Sequence, residues 1–258
     1  MDYEYSNVEK EGKLWIITLN RPERMNALHS PAHFELEEIF NNFSADPDAW
    51  VAIITGSGDR AFCAGNDLRY QAEGGKMERN PSGFAGLTSR FDLKKPVIAA
   101  VNGVAMGGGF EIALACDLII ASENARFALP EPKVGLAALA GGMHRLPRQI
   151  GMKRAMGMML TGRTVEAKEG LSLGFVNEVV DHEELMKSSK KWAESIMECS
   201  PTSVRTTKDV AMAGLDHASI ESAMEQKYDS IIGLFNGEDF VEGPLAFSEK
   251  RKPKWTGK

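Results

Sequence analysis

The sequence predicts an α/β protein, and three observations carry that prediction. Short apolar runs rich in β-branched residues recur at 13–20 (KLWIITLN), 50–56 (WVAIITG), 94–103 (KKPVIAAVNG) and 116–122 (CDLIIAS). Stretches with helical spacing of apolar residues lie between and after them,. The chain has 258 residues with 43% hydrophobic and 26% charged residues, an ordinary composition for a globular protein with a substantial core. Strands that alternate with helices imply a parallel sheet covered by helices.

Taken in order, KLWIITLN is the first strand, and RPERMNAL follows it as a loop. PAHFELEEIFNNF (31–43) places Phe34, Ile39, Phe40 and Phe43 at helical spacing, with Ser30 as its N-cap and Pro31 in the first turn,. WVAIITG is a buried strand ended by glycine, and KKPVIAAVNG and CDLIIAS read the same way; ARFALP (125–130) is a short extended segment,. GGKMERNPSG (74–83), with its glycine, proline and charge, reads as a mobile surface loop,. Beyond residue 141 the texture is helical. One helix is expected across 144–162, a shorter one at 165–174, and a strand at 174–180. An amphipathic helix at 181–200 carries Leu185, Met186, Trp192, Ile196 and Met197 on one face, with further helices at 201–215 and 218–236,. The tail, EKRKPKWTGK, is basic.

The formal net charge of −6 disfavours a broad nucleic-acid surface,. The three cysteines, Cys63, Cys116 and Cys199, form no CxxC pair. They read as reduced, buried spectators rather than zinc ligands or a disulfide framework. No apolar run approaches the roughly 18–20 residues needed to cross a bilayer. The polar, acidic start MDYEYSNVEKEGK lacks the features of a signal or transit peptide,. The expectation is a cytoplasmic protein without a membrane or nucleic-acid partner.

Two turns draw attention to chemistry. GGGFE (107–111) follows a predicted strand and opens a predicted helix. Such a turn exposes backbone N–H groups at the positive end of a helix and lets a ligand approach closely. Tight helix packing explains the glycines equally well. AFCAGND (61–67) is a second turn of small residues after a strand. Two such turns can aim two N–H donors at one developing oxyanion, each worth about 3–4 kcal/mol in a transition state. Two carboxylates lie among apolar residues: Glu111 at a helix start and Glu131 between Pro130 and Pro132. Each alone reads most simply as structural. Held together in a dry pocket, they would supply a general acid and a general base.

Five ordered segments extend this reading: ITLNRPERMNAL, AFCAGNDL, KPVIAAVNGVAMGGGFEIALACDLIIASENARFALPE, TGRTVEAKEGLSLGFVNEVV and EGPLAFSEKRKPKW. With them the chain resembles the crotonase superfamily, the enoyl-CoA hydratase/isomerase proteins, nearly end to end. GFAGLT (83–88) and the EGPLAF tail look most like short-chain hydratases and carnitinyl-CoA dehydratases. The resemblance implies a spiral of ββα units over residues 1–195. It also implies a helical C-terminal trimerisation region over 196–258, giving a homotrimer or a dimer of trimers. The implied substrate is an acyl-CoA thioester; coenzyme A is part of that substrate, and no cofactor or metal is implied. Glu111 and Glu131 take the places of the family's catalytic glutamates, and the backbone N–H groups of Asn66 and Gly108 the places of its oxyanion hole. Arg24 and Lys250 are candidate contacts to CoA phosphates, with ordinary surface charge as the alternative. Asp67 and Leu68 would shape the CoA pocket, and carbonyls around Ala64 would meet the adenine. Ala27, Pro130, Leu136 and Leu139 complete the implied substrate-binding set. Ala138 replaces a frequent proline, and Leu139 stands where some relatives carry an acid, making the acyl end apolar. His144, where glutamine is frequent, reads as a structural neighbour.

The expected activity is addition or removal of water across the α,β-double bond of a short-chain enoyl-CoA, within fatty acid metabolism. The rival activities are a carnitinyl-CoA-type dehydratase and a Δ3-Δ2-enoyl-CoA isomerase. The non-enzyme alternative is an acyl-CoA or RNA-binding protein on the same fold.

Overall fold

A computed structural model describes residues 3–76 and 78–258; Met77, within the predicted mobile loop, and the first two residues lie outside the described residues. The chain opens with β1 (Ser6–Glu11) and β2 (Leu14–Leu19), an antiparallel pair, and then α1 (Ser30–Ala45). Next come β3 (Val51–Gly56), β4 (Ala61–Cys63) and the short α2 (Leu68–Ala72). The pattern repeats as β5 (Val97–Val101), β6 (Val104–Met106) and α3 (Gly108–Ala115), and again as β7 (Leu118–Ser122), β8 (Arg126–Ala128) and a 3₁₀ turn at Glu131–Val134. Within each repeat the first strand joins one sheet and the second joins another. The larger sheet runs β1-β2-β3-β5-β7-β10, parallel from β2 onward; the smaller runs β4-β6-β8-β9. The product is a spiral of ββα units.

Alternation along the strands explains the continuous apolar runs. Ile17, Ala52, Ile54 and Ala99 face one core together with α1 and α3. Their neighbours Ile16, Ile53 and Ile98 face a second core, closed by Leu185 and Ala193. Both sheet faces are buried, so no polar alternation survives in sequence.

After the spiral come α4 (Gly142–Ile150), α5 (Met152–Met159), β9 (Val165–Glu166), α6 (Ala167–Leu173) and β10 (Glu178–Val180). They are followed by α7 (Leu185–Met197), α8 (Pro201–Gly214), α9 (Ile220–Glu225), α10 (Asp229–Asn236) and α11 (Glu238–Ser248).

Several expectations are corrected. The helix expected across 144–162 is two helices, because Gly151 adopts a φ of +82° between them,. The segment at 218–236 likewise divides into α9 and α10. Residue 29, not Ser30, is the N-cap of α1. The Ser30 hydroxyl instead accepts from the Glu78 N–H and donates to the Lys76 carbonyl, both at 2.9 Å. The 74–83 loop is thereby tied to α1. Phe34 is exposed, and Leu36 takes its place in the core. Cys63 and Cys116 are buried as expected, but Cys199 is exposed. Among the described residues no helix is long and apolar enough to cross a membrane.

Candidate active site

Each of the three glycines after β6 meets a different demand. Gly107 holds φ +53° and ψ −124°, a conformation that L side chains rarely adopt,. A Cβ there would lie 3.0 Å from Glu131 Oε1. On Gly108 it would meet the Phe84 ring at 2.5 Å, and on Gly109 it would strike the Cys63 carbonyl oxygen at 1.9 Å. Helix packing therefore accounts for Gly109, Gly108 makes room for the Phe84 ring, and Gly107 admits the Glu131 carboxylate.

The turn after β4 comes close to the same place. Gly65, at φ +95°, would place a Cβ 2.7 Å from the Met106 carbonyl oxygen and 3.2 Å from the Gly108 nitrogen. Leu28 and Asn66 form a parallel bridge, in which the Leu28 N–H donates to Gly65 and the Asp67 N–H to Leu28, each at 2.8 Å. This pattern turns the Asn66 N–H away from Leu28. Gly108 is the first residue of α3, where helical N–H groups lack an internal acceptor,. Among the described residues, neither amide donates a hydrogen bond within the chain. The Asn66 Oδ1 is also buried without a partner.

Glu111 sits in the first turn of α3 and is only 4% exposed. Its Oε1 accepts from the Gly142 N–H at 2.8 Å. Burial pushes its carboxyl up to about 7, and the charge of Glu131 adds to the rise,. The N–H groups of Gly142 and Ala140 and the Arg145 guanidinium pull the other way. Glu131 opens the 3₁₀ turn after β8. Burial raises its carboxyl too, and its Oε2 is buried with no partner. A native fold rarely leaves such an atom orphaned; the other oxygen, Oε1, lies against the glycine turn that also presents the Gly108 amide.

The other candidates divide into two groups. Around Ala27, Asp67 and Leu68 the chain is tied by a residue that the sequence did not single out, Arg21. Its guanidinium donates to the Ala27 carbonyl and pairs with Asp67 Oδ2 at 3.0 Å, both groups being largely buried. Asp67 Oδ1 caps α2 through the Tyr70 N–H at 3.1 Å. Asp67 is thus occupied inside the protein, whereas Leu68 is exposed. Ala64 donates to the Met25 carbonyl at 3.0 Å, and Arg24 is near enough for its charge to lower the Asp67 carboxyl. Pro130 precedes Glu131 directly, and Leu136 and Leu139 follow it in the chain. Leu136 donates to the Glu131 carbonyl at 2.9 Å, and Leu139 is 81% exposed. Lys250 stands apart. It follows α11, whose tail packs on the α7–α8 connection through Trp255 and the Glu198 carbonyl, and no contact within the chain joins it to Arg24. His144 is exposed and contacts neither glutamate; its carbonyl accepts from Arg148.

Four contributors were not legible beforehand: Arg21, the Gly142 amide, Arg145 and Phe84. Each acts through residues tens of positions away; Arg21 and Phe84 lay in segments singled out beforehand, ITLNRPERMNAL and GFAGLT, but without a role of their own.

A doubly layered spiral of ββα units is the crotonase type of fold, and here it carries a buried and a half-buried carboxylate beside unpartnered amides. The chain belongs to the enoyl-CoA hydratase/isomerase family, whose pattern matches residues 9–258. It is 43% identical to a carnitinyl-CoA dehydratase of Citrobacter koseri over 96% of this chain and 97% of that protein. It is 43% identical to one of Salmonella typhi over 99% of each. Among solved structures, an enoyl-CoA hydratase from Mycobacterium tuberculosis H37Rv superposes with a TM-score of 0.92 at 35% identity, covering 98% of this chain and 99% of that one.

Proposed function

We propose that this protein is a hydro-lyase that adds water to, or removes it from, the α,β-double bond of a short-chain acyl-CoA thioester. One observation carries the reading: a buried carboxylate, Glu111, and a half-buried one, Glu131, both with raised affinity for protons, lie beside two amides that lack acceptors. The Asn66 and Gly108 N–H groups receive the thioester oxygen and stabilise the enolate-like charge. Glu111 takes a proton from water as the water oxygen bonds to Cβ. Glu131, protonated at the outset, gives its proton to Cα. Glu111 then holds the proton taken from water, and passing it to Glu131 restores the starting state. Dehydration runs the same steps backward. Burial raises both carboxyls, so the pair holds a proton closer to neutral pH than exposed acids do, which favours the transfers in both directions,.

Arg24 and Lys250 are assigned to the CoA phosphates, Lys250 from a neighbouring copy. Ala27, Ala64 and Leu68 line the CoA path, whose wall Asp67 shapes through Arg21 and the cap of α2, and Pro130, Leu136 and Leu139 line the acyl end. The helices of 196–258 assemble the chain into a trimer or a dimer of trimers in the cytoplasm. Exposed Ile220, Met224, Phe235, Phe240, Leu245 and Phe247 on those helices and at their ends support that reading,. The carnitinyl-CoA dehydratases named above favour a β-hydroxyacyl thioester with a trimethylammonium group as a second substrate class.

Purified protein mixed with crotonyl-CoA should remove the conjugated thioester absorbance, and carnitinyl-CoA should be tried in parallel. Failure with both, at protein concentrations that give measurable thioester binding, overturns the assignment.

A further inference from the structure

The loop at residues 82–89 bridges both halves of the site, and a residue outside the cleft holds it. His33 of α1 is 6% exposed, and its Nδ1 accepts from the Ala85 N–H at 3.1 Å. A backbone N–H can only donate, so this nitrogen must carry a lone pair. Burial pushes the imidazole down to about 4, with nearby His29 adding to the fall. The His33 ring packs on Phe84 with centroids 4.4 Å apart. Phe84 in turn covers Gly108 so closely that no side chain fits there.

Ala85 needs holding. It adopts φ +57°, a conformation that costs a non-glycine residue about 1–2 kcal/mol,. Next to it, the Phe84 N–H donates to Thr88 Oγ1 at 2.8 Å, and Gly86 lies against the backbone of Glu37, where a Cβ would come within 2.3 Å. From the far end of the loop, the Thr88 carbonyl accepts from Arg145 at 2.8 Å. Arg145 also reaches the Ala140 carbonyl at 3.5 Å, in the strand of chain whose amides hold Glu111.

We propose that His33 is a positioning residue for the water-addition chemistry: it holds the Phe84 ring over Gly108, keeping water off the oxyanion amide. The inference rests on the reading above. An N–H donor stabilises a developing oxyanion most strongly where water is excluded and the donor is fixed beforehand. The CoA-contacting segments at 24–28 and 64–68 have no part in this chain of contacts, so the thioester should still bind.

The experiment compares His33→Leu, His33→Asn, Phe84→Ala and the double variant His33→Leu/Phe84→Ala with crotonyl-CoA as the probe. Asn can offer an oxygen acceptor near the position of Nδ1. Removing one oxyanion donor outright costs about 100- to 1000-fold, so a displaced cover should cost His33→Leu about 10- to 100-fold in kcat. KM should change by less than about threefold, His33→Asn should recover most of the loss, and the double variant should be little worse than Phe84→Ala. Full kcat in His33→Leu, a loss carried by KM, or multiplying losses in the double variant would overturn the proposal. Hydrogen exchange of the unliganded proteins is a second readout that needs no turnover. Faster exchange at both 83–88 and 107–111 is expected in His33→Leu and not in His33→Asn; unchanged exchange at 107–111 overturns it. If His33→Leu does not fold, His33→Asn and His33→Gln replace it. Asn should then keep kcat and Gln, whose acceptor sits one bond further out, should lose it. A wild type inert toward every enoyl-CoA overturns the assigned activity instead, and the exchange measurement still decides the role of His33.

Discussion

At the scale of single residues, Glu111 and His33 are displaced by similar amounts in opposite directions. Glu111 is raised from 4.5 to about 7, and His33 is lowered from 6.5 to about 4. A raised carboxyl stabilises the fold below its unfolded value, and that contribution disappears as pH rises through about 7. A lowered imidazole does so above 6.5, and its contribution is lost as pH falls through about 4. Each is worth up to roughly 3 kcal/mol. Between pH 4.5 and 6.5 the two slopes oppose each other, so stability should vary little there on their account. Glu111→Gln should remove one slope: its melting temperature should rise above wild type at pH 8 and fall toward it at pH 5. An unchanged difference across that range would contradict the buried-carboxyl account. The same variant, and Glu131→Gln, should each lose several orders of magnitude in kcat while still binding the CoA ester. The acidic limb of the wild-type kcat/KM profile should lie near pH 7, where Glu111 becomes a base,. Near-normal turnover in either variant would mean that its role is misassigned.

At the scale of elements, the strand-turn-helix unit from β6 to α3 depends on a close approach. Gly109 leaves room for only 1.9 Å between a Cβ and the Cys63 carbonyl. Backbone must shift to admit even a methyl group, so Gly109→Ala should cost at least about 3 kcal/mol and separate β4 from α3. Thermal denaturation should reveal a large fall or insoluble protein; a variant as stable as wild type would show that the two elements can move apart freely. The same unit marks the limit of pattern reading. The run 94–103 reads as one strand, but the chain crosses from the larger sheet to the smaller at Gly103, where a Cβ would lie 2.4 Å from the Arg60 carbonyl oxygen. Strands of three residues, such as β4 and β6, are too short to display a period. The helices at 31–43 and 181–200 were legible because their apolar spacing persists over several turns. The break at Gly151 was not, since a glycine within a helical pattern can be tolerated or can end it.

At the scale of the whole molecule, the spiral buries both faces of its larger sheet, one under α1 and α3 and the other under α7. The helices beyond α7 leave most of their large apolar residues uncovered within one chain: Ile220, Met224 and Phe247 are among the most exposed large side chains. The assembly proposed above would cover them. Light scattering should return three or six times the 28.2 kDa chain mass. A monomer at micromolar concentration would refute the assembly and leave Lys250 without a CoA to reach.

The α/β class, the main strands and helices, and both glutamates could be read from the residues in order, because local spacing and the five ordered motifs need no knowledge of distant contacts. Arg21 against Asp67, Gly142 against Glu111 and His33 against the Phe84 loop could not. These pairs are separated by 31 to 52 positions. Side chains so far apart in sequence meet only when the sheets set the register, and it is that register which brings one buried and one half-buried acid together beside two unpartnered amides.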